Sequence, residues 1–414
     1  MRGMVVAPHC LAVEEGVRVL RRGGNAVDAA VTTAFVQCVV GIGSCGIAGF
    51  GSLQVYLSES GEHKVIDFHG KAGSKVRPDM WEDLLIGENR TGYGYLLRGR
   101  VNDVGYQSIT TPCTLKALHE ALTRYGTLSL KEALAPAIRY AEEGFPFQGR
   151  MSMRWGFRVA PGMPTFAERL RTTKAAEEIF LKEGRPYYPG EILVQRDLAE
   201  TLRRIAEEGV EDFYSGEICD KMIRDLEEHG SFLTRRDIEE YEVTITEPLR
   251  TEYRGYTVAT NPAPGGGITL LEILNILEGY DLSQYDWRGM GPDAAEYLHL
   301  VASAFKAAQR DRAEYVGDPA FVEVPTERLI SKEHAEGWRE RIDAGERLTI
   351  PRWAPREDPS TTHLSVVDSR GNAVSLTHSL GASSGVVTPG LGFLYNNCIC
   401  LLYTSPSPRD LSTS

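Results

Sequence analysis

Residues 361–380 read TTHLSVVDSRGNAVSLTHSL. Apolar and polar residues alternate on both sides of Asp368-Ser369-Arg370-Gly371-Asn372, the pattern of two antiparallel strands joined by a short turn. The preceding LTIPRWAPRED, rich in proline and charge, reads as an exposed connection. Thr361 therefore stands where a linker gives way to a strand. Threonine favours β structure, and a strand start is one reading of it. The other is that Thr361 becomes a chain end. Cutting the Ser360–Thr361 bond would leave Thr361 with both a nucleophile and its own base. A free α-amino group titrates at about 7.7 to 8.0, so it can take the hydroxyl proton without a histidine. The same hydroxyl can make the cut, by an N-to-O acyl shift followed by hydrolysis of the ester.

The 414-residue chain has room for a large core and for two or three ordinary domains, although single domains of this size exist. With 42% hydrophobic and 25% charged residues it has the composition of a soluble globular protein. A formal charge of -12 and the lack of any lysine/arginine-rich run exclude a sequence-independent grip on nucleic acid. Ala29 to Leu57 carries no charge, but Gly41, Gly43, Gly46, Gly49 and Gly51 interrupt it, so it reads as a buried helix, a glycine-rich loop and a buried strand, not a membrane span. No positively charged leader precedes an apolar stretch in MRGMVVAPHC. That start reads as cytoplasmic as written, and as periplasmic or secreted if further residues precede it. The cysteines at 10, 38, 45, 113, 219, 398 and 400 lack the dense spacing of a disulfide scaffold and read as small buried apolar residues. Cys398-Ile399-Cys400 has no accompanying His or Cys cluster, and no metal or other cofactor is read.

LAVEEGVRVLRRGG has helical spacing with a Gly23-Gly24 stop, and Asn25 reads as the N-cap of a buried helix, AVDAAVTTAFVQCVV. SLQVYL and KVIDFH form a hairpin across SESGEH. From about 113 to 345 helices dominate, among them TLKALHEALTRYG, LKEALAPAIRYAEEG, DLAETLRRIAEEG, EICDKMIRDLEEHG and ITLLEILNILEGY. TEYRGYTVATN reads as a strand pair and Pro264-Gly265-Gly266-Gly267 as a turn before a helix. Strands at both ends of the chain must meet in space, which favours one mixed domain. Gly41-Ile42-Gly43-Ser44-Cys45-Gly46 satisfies GxGxxG but follows a helix and opens none, so a dinucleotide site is excluded by context. Walker A and HExxH are absent from the sequence.

GGNAVDAAV, GFGSLQVY, NILEGYDL, DRAEYVGDP and TTHLSVVDSRGNAVSLTHSL resemble the γ-glutamyltransferase family of N-terminal-nucleophile hydrolases, from about Gly3 to Asn397. The resemblance implies an α+β fold, the αββα sandwich, with a long helical middle. It also implies a precursor cut into two subunits: residues 1–360 as the large-subunit region and 361–399 as the start of the small one. Residues 400–414 are set apart, because CLLYTSPSPRD resembles the translated read-through of a sequencing adapter and reads as non-native. Thr361 takes the position of the nucleophile that forms an acyl-enzyme, with Ser360 and Thr361 flanking the processing bond. Ser379 takes the position of a second threonine whose hydroxyl contacts the nucleophile.

Three recognition positions depart from the family. Where an arginine grips the substrate α-carboxylate, this sequence has His69, which offers no bidentate, permanently charged clamp; Lys71 or Arg77 are the candidates to supply charge from nearby. The asparagine that helps hold the substrate amino group corresponds to Gly381, and a glutamine to Cys398. His69 is read either as a changed recognition residue or as an ordinary surface or core histidine, and His363 and His378 as structural. The resulting expectation is an autoprocessing threonine-nucleophile amide hydrolase or acyltransferase for γ-glutamyl or related small-molecule acyl amides, with water or an amine as acceptor. The alternative is an uncleaved binding or scaffold protein of the same fold.

Overall fold

The hairpin at 361–380 lies inside a larger sheet. The computed structural model describes residues 3–88, 95–158, 163–289, 291–349 and 361–399. Ser360, with the processing bond, and the tail 400–414, with Cys400, lie outside the described residues. The strands are β1 (Met4–Val6), β2 (Phe50–Leu57), β3 (Glu62–Phe68), β4 (Thr244–Thr246), β5 (Thr362–Val367) and β6 (Ala373–Ser379). They pair antiparallel in the order β1-β5-β6-β2-β3-β4, so both ends of the chain do meet in one sheet.

Asp368 shapes the β5–β6 turn. Its Oδ1 accepts the N–H groups of Arg370 (2.8 Å) and Asn372 (3.1 Å), and its Oδ2 accepts Asn372 Nδ2 (2.8 Å) and the Ala26 N–H (3.1 Å). The last bond joins the turn to the start of α2 (Ala26–Val40), where the helix leaves backbone donors unpaired. Asn25 caps α2 as expected: its side chain accepts from the N–H groups of Val27 and Asp28, and the Asp28 carboxylate accepts the Asn25 N–H. Every residue of α2 is buried. Alternation then assigns the strand faces. Thr362, Leu364 and Val366 on β5, with Val374, Leu376 and His378 on β6, are buried on the α2 side. The other face carries the half-buried Ser365, Ser375 and Thr377, with Met4, Val6, Tyr56 and Val367 exposed.

Around α2 pack α1 (Cys10–Arg21), α3 (Thr114–Tyr125) and α4 (Leu130–Glu143), and α5 (Arg196–Glu208) packs on α4. α5 buries Leu198, Leu202 and Ile205 at helical spacing. This helix layer and the six-stranded sheet supply one α and one β layer of the αββα sandwich. Glu247–Ala354 is a second compact unit with its own core. It holds the strand pair Leu249–Tyr253 and Tyr256–Thr260, followed by α6 (Gly267–Glu278), α7 (Pro292–Tyr315) and α8 (Lys332–Asp343). Ile273, Ile276, Leu300, Ala304 and Trp338 form that core. Among the described residues, no helix is long and apolar enough to cross a membrane.

Candidate functional site

The β5–β6 register pairs Thr362 with His378, and one further step places Thr361 opposite Ser379. Their side chains meet: Thr361 Oγ1 lies 3.2 Å from Ser379 Oγ. Thr361 is exposed and Ser379 is buried. Ser379 Oγ accepts the Gly381 N–H at 2.9 Å. A hydroxyl oxygen has a second lone pair, so Ser379 is able either to donate its proton to Thr361 Oγ1 or to accept from it.

Gly381 holds this turn in the left-handed region at φ 66°, and a Cβ there would lie 2.2 Å from Asn397 Oδ1. Only glycine fits on both counts. The Asn397 carboxamide accepts the Ala382 N–H at 2.9 Å and donates to Asp103 O and Oδ1 at 3.1 and 3.0 Å. Arg169 Nη2 reaches both Asp103 carboxylate oxygens at 2.9 Å, and Arg100 Nε reaches one at 3.1 Å. Burial alone would raise the Asp103 carboxyl, but the two guanidinium groups outweigh it and hold it below the usual carboxylate range. A buried charge network thus fixes the loop behind Ser379.

His69 follows β3 at the same sheet edge. Phe68 pairs with Gly51, and Gly51 with His378, so β3 lies two strand spacings from β6, roughly 10 Å. The His69 ring is turned to its own neighbour: Nδ1 lies 2.8 and 3.0 Å from the Asp67 carboxylate oxygens. Lys71 Nζ sits 5.4 Å above the Tyr241 ring, and Arg77 Nε pairs with Asp79 at 3.3 Å on the surface. Cys398 is buried, and its N–H donates to Asn396 Oδ1 at 3.0 Å. Asn396 also accepts from Thr110 N–H and Oγ1 and donates to the carbonyls of Ala48 and Thr110, tying the Cys398 segment to β2's approach.

The two strand histidines part company. His363 lies on the polar face, Nδ1 2.8 Å from Thr377 Oγ1 and Nε2 3.1 Å from Ser365 Oγ. His378 points to the α2 side, its Nε2 3.1 Å from Gln37 Oε1. Gln37, Asp103, Asn396 and Asn397 escaped the sequence reading. Nothing local marks them, because the partners that tie them together, Thr362 and His378 for Gln37, Arg169 for Asp103, Ala48 for Asn396 and Asp103 for Asn397, lie between 66 and 348 residues away.

The γ-glutamyltranspeptidase family model matches residues 12–408. The glutathione hydrolase proenzyme of Pseudomonas sp. (strain A14) is 36% identical over 403 residues, 95% of this chain and 66% of its own length. The acylase ACY 1 proenzyme of Pseudomonas sp. (strain V22) is 37% identical over 405 residues, 96% of this chain and 69% of its own. This chain thus spans about two thirds of the length of these curated relatives. Among solved structures, cephalosporin acylase from Bacillus halodurans superposes with a TM-score of 0.81 at 31% identity, covering 96% of this chain and 69% of that one. Helicobacter pylori γ-glutamyltranspeptidase gives 0.72 at 31% identity, covering 83% and 92%. With the fold, the extent of the sequence match and its level all in agreement, this chain belongs to the γ-glutamyltranspeptidase family.

Proposed function

We propose that the chain is the precursor of a threonine-nucleophile amide hydrolase or acyltransferase, with Thr361 as processing and catalytic nucleophile. The meeting of Thr361 Oγ1 and Ser379 Oγ at 3.2 Å, at the first residue after a linker, carries this reading. In processing, Thr361 Oγ1 attacks the Ser360 carbonyl. The acyl group moves from nitrogen to oxygen, the hydroxyl proton passes to the freed nitrogen, and water hydrolyses the ester, leaving residues 1–360 and a chain that starts at Thr361. In catalysis the freed α-amine takes the hydroxyl proton as Oγ1 attacks an amide carbonyl, and returns it to the leaving amine. The resulting Thr361 ester passes its acyl group to water or to a second amine. Ser379 donates its hydrogen bond to Oγ1 and holds it in line. The relatives named as proenzymes support a precursor of this kind.

The substrate is an acyl amide whose acyl group is recognised differently from γ-glutamate. His69 is engaged with Asp67, Gly381 has no side chain, and Cys398 offers a thiol where a carboxamide would bind, so the clamp for an α-amino, α-carboxylate pair is dismantled. A glutaryl-type acyl group, which lacks the α-amine, fits the missing side chain at Gly381, and some relatives are named acylases. Turnover of glutaryl- against γ-glutamyl-p-nitroanilide tests this. Preference for the glutaryl amide is expected, with γ-glutamyl turnover rising in His69→Arg. Preference for the γ-glutamyl amide would overturn the substrate reading and leave the nucleophile standing.

A further inference from the structure

The structure gathers Cys38 at the end of α2, Cys45 in the loop that follows, and His378 on β6. Both sulfurs and a ring nitrogen of His378 lie within 4.8 Å of one another. All three side chains are buried, His378 completely. The ring's orientation and tautomer are fixed from behind. Gln37 Nε2 donates to Thr362 Oγ1 at 3.1 Å, which leaves Gln37 Oε1 to accept the His378 Nε2–H at 3.1 Å. Nδ1 therefore carries the lone pair, and it is buried without a hydrogen-bond partner. Such an atom is costly to leave unsatisfied. A cavity of about 10 Å³, room for one water-sized species, lies against both cysteines beside Ile42 and Gly46.

We propose that Cys38 Sγ, Cys45 Sγ and His378 Nδ1 are three ligands of a zinc site. Two thiolates and an imidazole are a donor set for Zn²⁺ rather than Mg²⁺ or Ca²⁺. Zinc–sulfur bonds of about 2.3 Å and zinc–nitrogen bonds of about 2.0 to 2.1 Å place tetrahedral donors less than 4.8 Å apart, in keeping with the spread of the three ligand atoms. Binding releases one proton from each thiol: the ion's two charges are balanced by two thiolates, and the centre is neutral overall. Neutrality suits its apolar surroundings. Gln37 does for His378 what outer partners do for metal-bound histidines, holding the ring and the tautomer. Because His378 faces α2 and Ser379 faces the other side, the ion joins α2, its loop and β6 without touching the Thr361–Ser379 pair, and the site stands whether or not Thr361 is a nucleophile.

The test is titration of the reduced, chelator-treated chain with Co²⁺, then Zn²⁺. Expected are one Co²⁺ per chain, a thiolate-to-cobalt charge-transfer band with the visible bands of a tetrahedral site, and displacement by Zn²⁺. Cys45→Ser and His378→Gln should lose these bands, Gln37→Ala should bind about 10- to 100-fold more weakly, and Cys113→Ser, at a buried cysteine outside the cluster, should behave as the parent. X-ray absorption of the zinc-loaded parent, which needs no variant, should show two sulfur neighbours and one imidazole. Absence of cobalt binding, bands that survive in both ligand variants, or a zinc shell without two sulfurs would each overturn the proposal.

Discussion

Removing one oxygen, in Ser379→Ala, separates a hydroxyl that assists Thr361 from one that merely fills space. Ser379 Oγ lies 3.2 Å from Thr361 Oγ1 and 2.9 Å from the Gly381 nitrogen. In both processing and catalysis Thr361 Oγ1 takes on negative charge as it gives up its proton, before that charge passes to the attacked carbonyl oxygen, and a hydrogen bond to a charged group contributes about 1.5 to 3 kcal/mol. At 1.36 kcal/mol per factor of ten, its loss slows processing by about 10- to 150-fold. The Gly381 N–H also loses its acceptor, an equilibrium cost of about 1 kcal/mol that a urea midpoint reports separately. The assay follows fragment appearance by intact mass from freshly purified uncut chain, with circular dichroism confirming the fold. Ser379→Thr, which keeps the hydroxyl, should process at close to the parent rate. A folded Ser379→Ala chain that is cut as fast as the parent would refute the assignment of Ser379.

Three further outcomes follow from buried groups. Burial and the Asp311 carboxylate push Glu272 up to about 10, so it is protonated at neutral pH. An acid raised in the fold loses its stabilising effect as pH climbs from its unfolded value of about 4.3 towards 10. Glu272→Gln should therefore gain Tm relative to the parent as pH rises through 8, and parallel Tm–pH curves would contradict this. Burial, then the charges of Arg154 and Arg150, bring His9 down to about 4. Its unfolded state takes the proton first, so between pH 6.5 and 4 the fold loses up to about 3 kcal/mol, and His9→Gln should flatten that limb of a urea-midpoint profile. Gly381→Ala combines a left-handed φ with a Cβ against Asn397 and should cost about 1 to 3 kcal/mol, so an unchanged urea midpoint would be evidence against that crowding.

The elements that the sequence discloses are those specified locally. Asn25 with Asp28 three residues on marks the start of α2, and the alternation around Asp368–Asn372 marks β5 and β6. Thr361 stands out at the junction of linker and strand and Ser379 came from the resemblance, and strand register explains why they meet: residues equidistant from the hairpin turn face each other. That same alternation put His378 on the opposite face from Ser379, a distinction that proximity in sequence hides. The cysteines read as apolar filler because their partners are set by α2 crossing the sheet, which no local pattern encodes. For the same reason nothing in the sequence assigned Asn397 to Asp103, 294 residues away. Helical periodicity revealed α6 but not that it shares a core with α7 and α8, since a period shows which face is apolar and not what covers it.

The intact mass of the purified chain beside its Thr361→Ala variant tests the central claim most directly. Two fragments in the parent, one beginning at Thr361, with a single uncut chain in the variant, are the expected result. A folded parent of one uncut mass, or a variant cut at the same bond, would contradict Thr361 as the nucleophile, and an uncut parent would move the binding-protein alternative ahead.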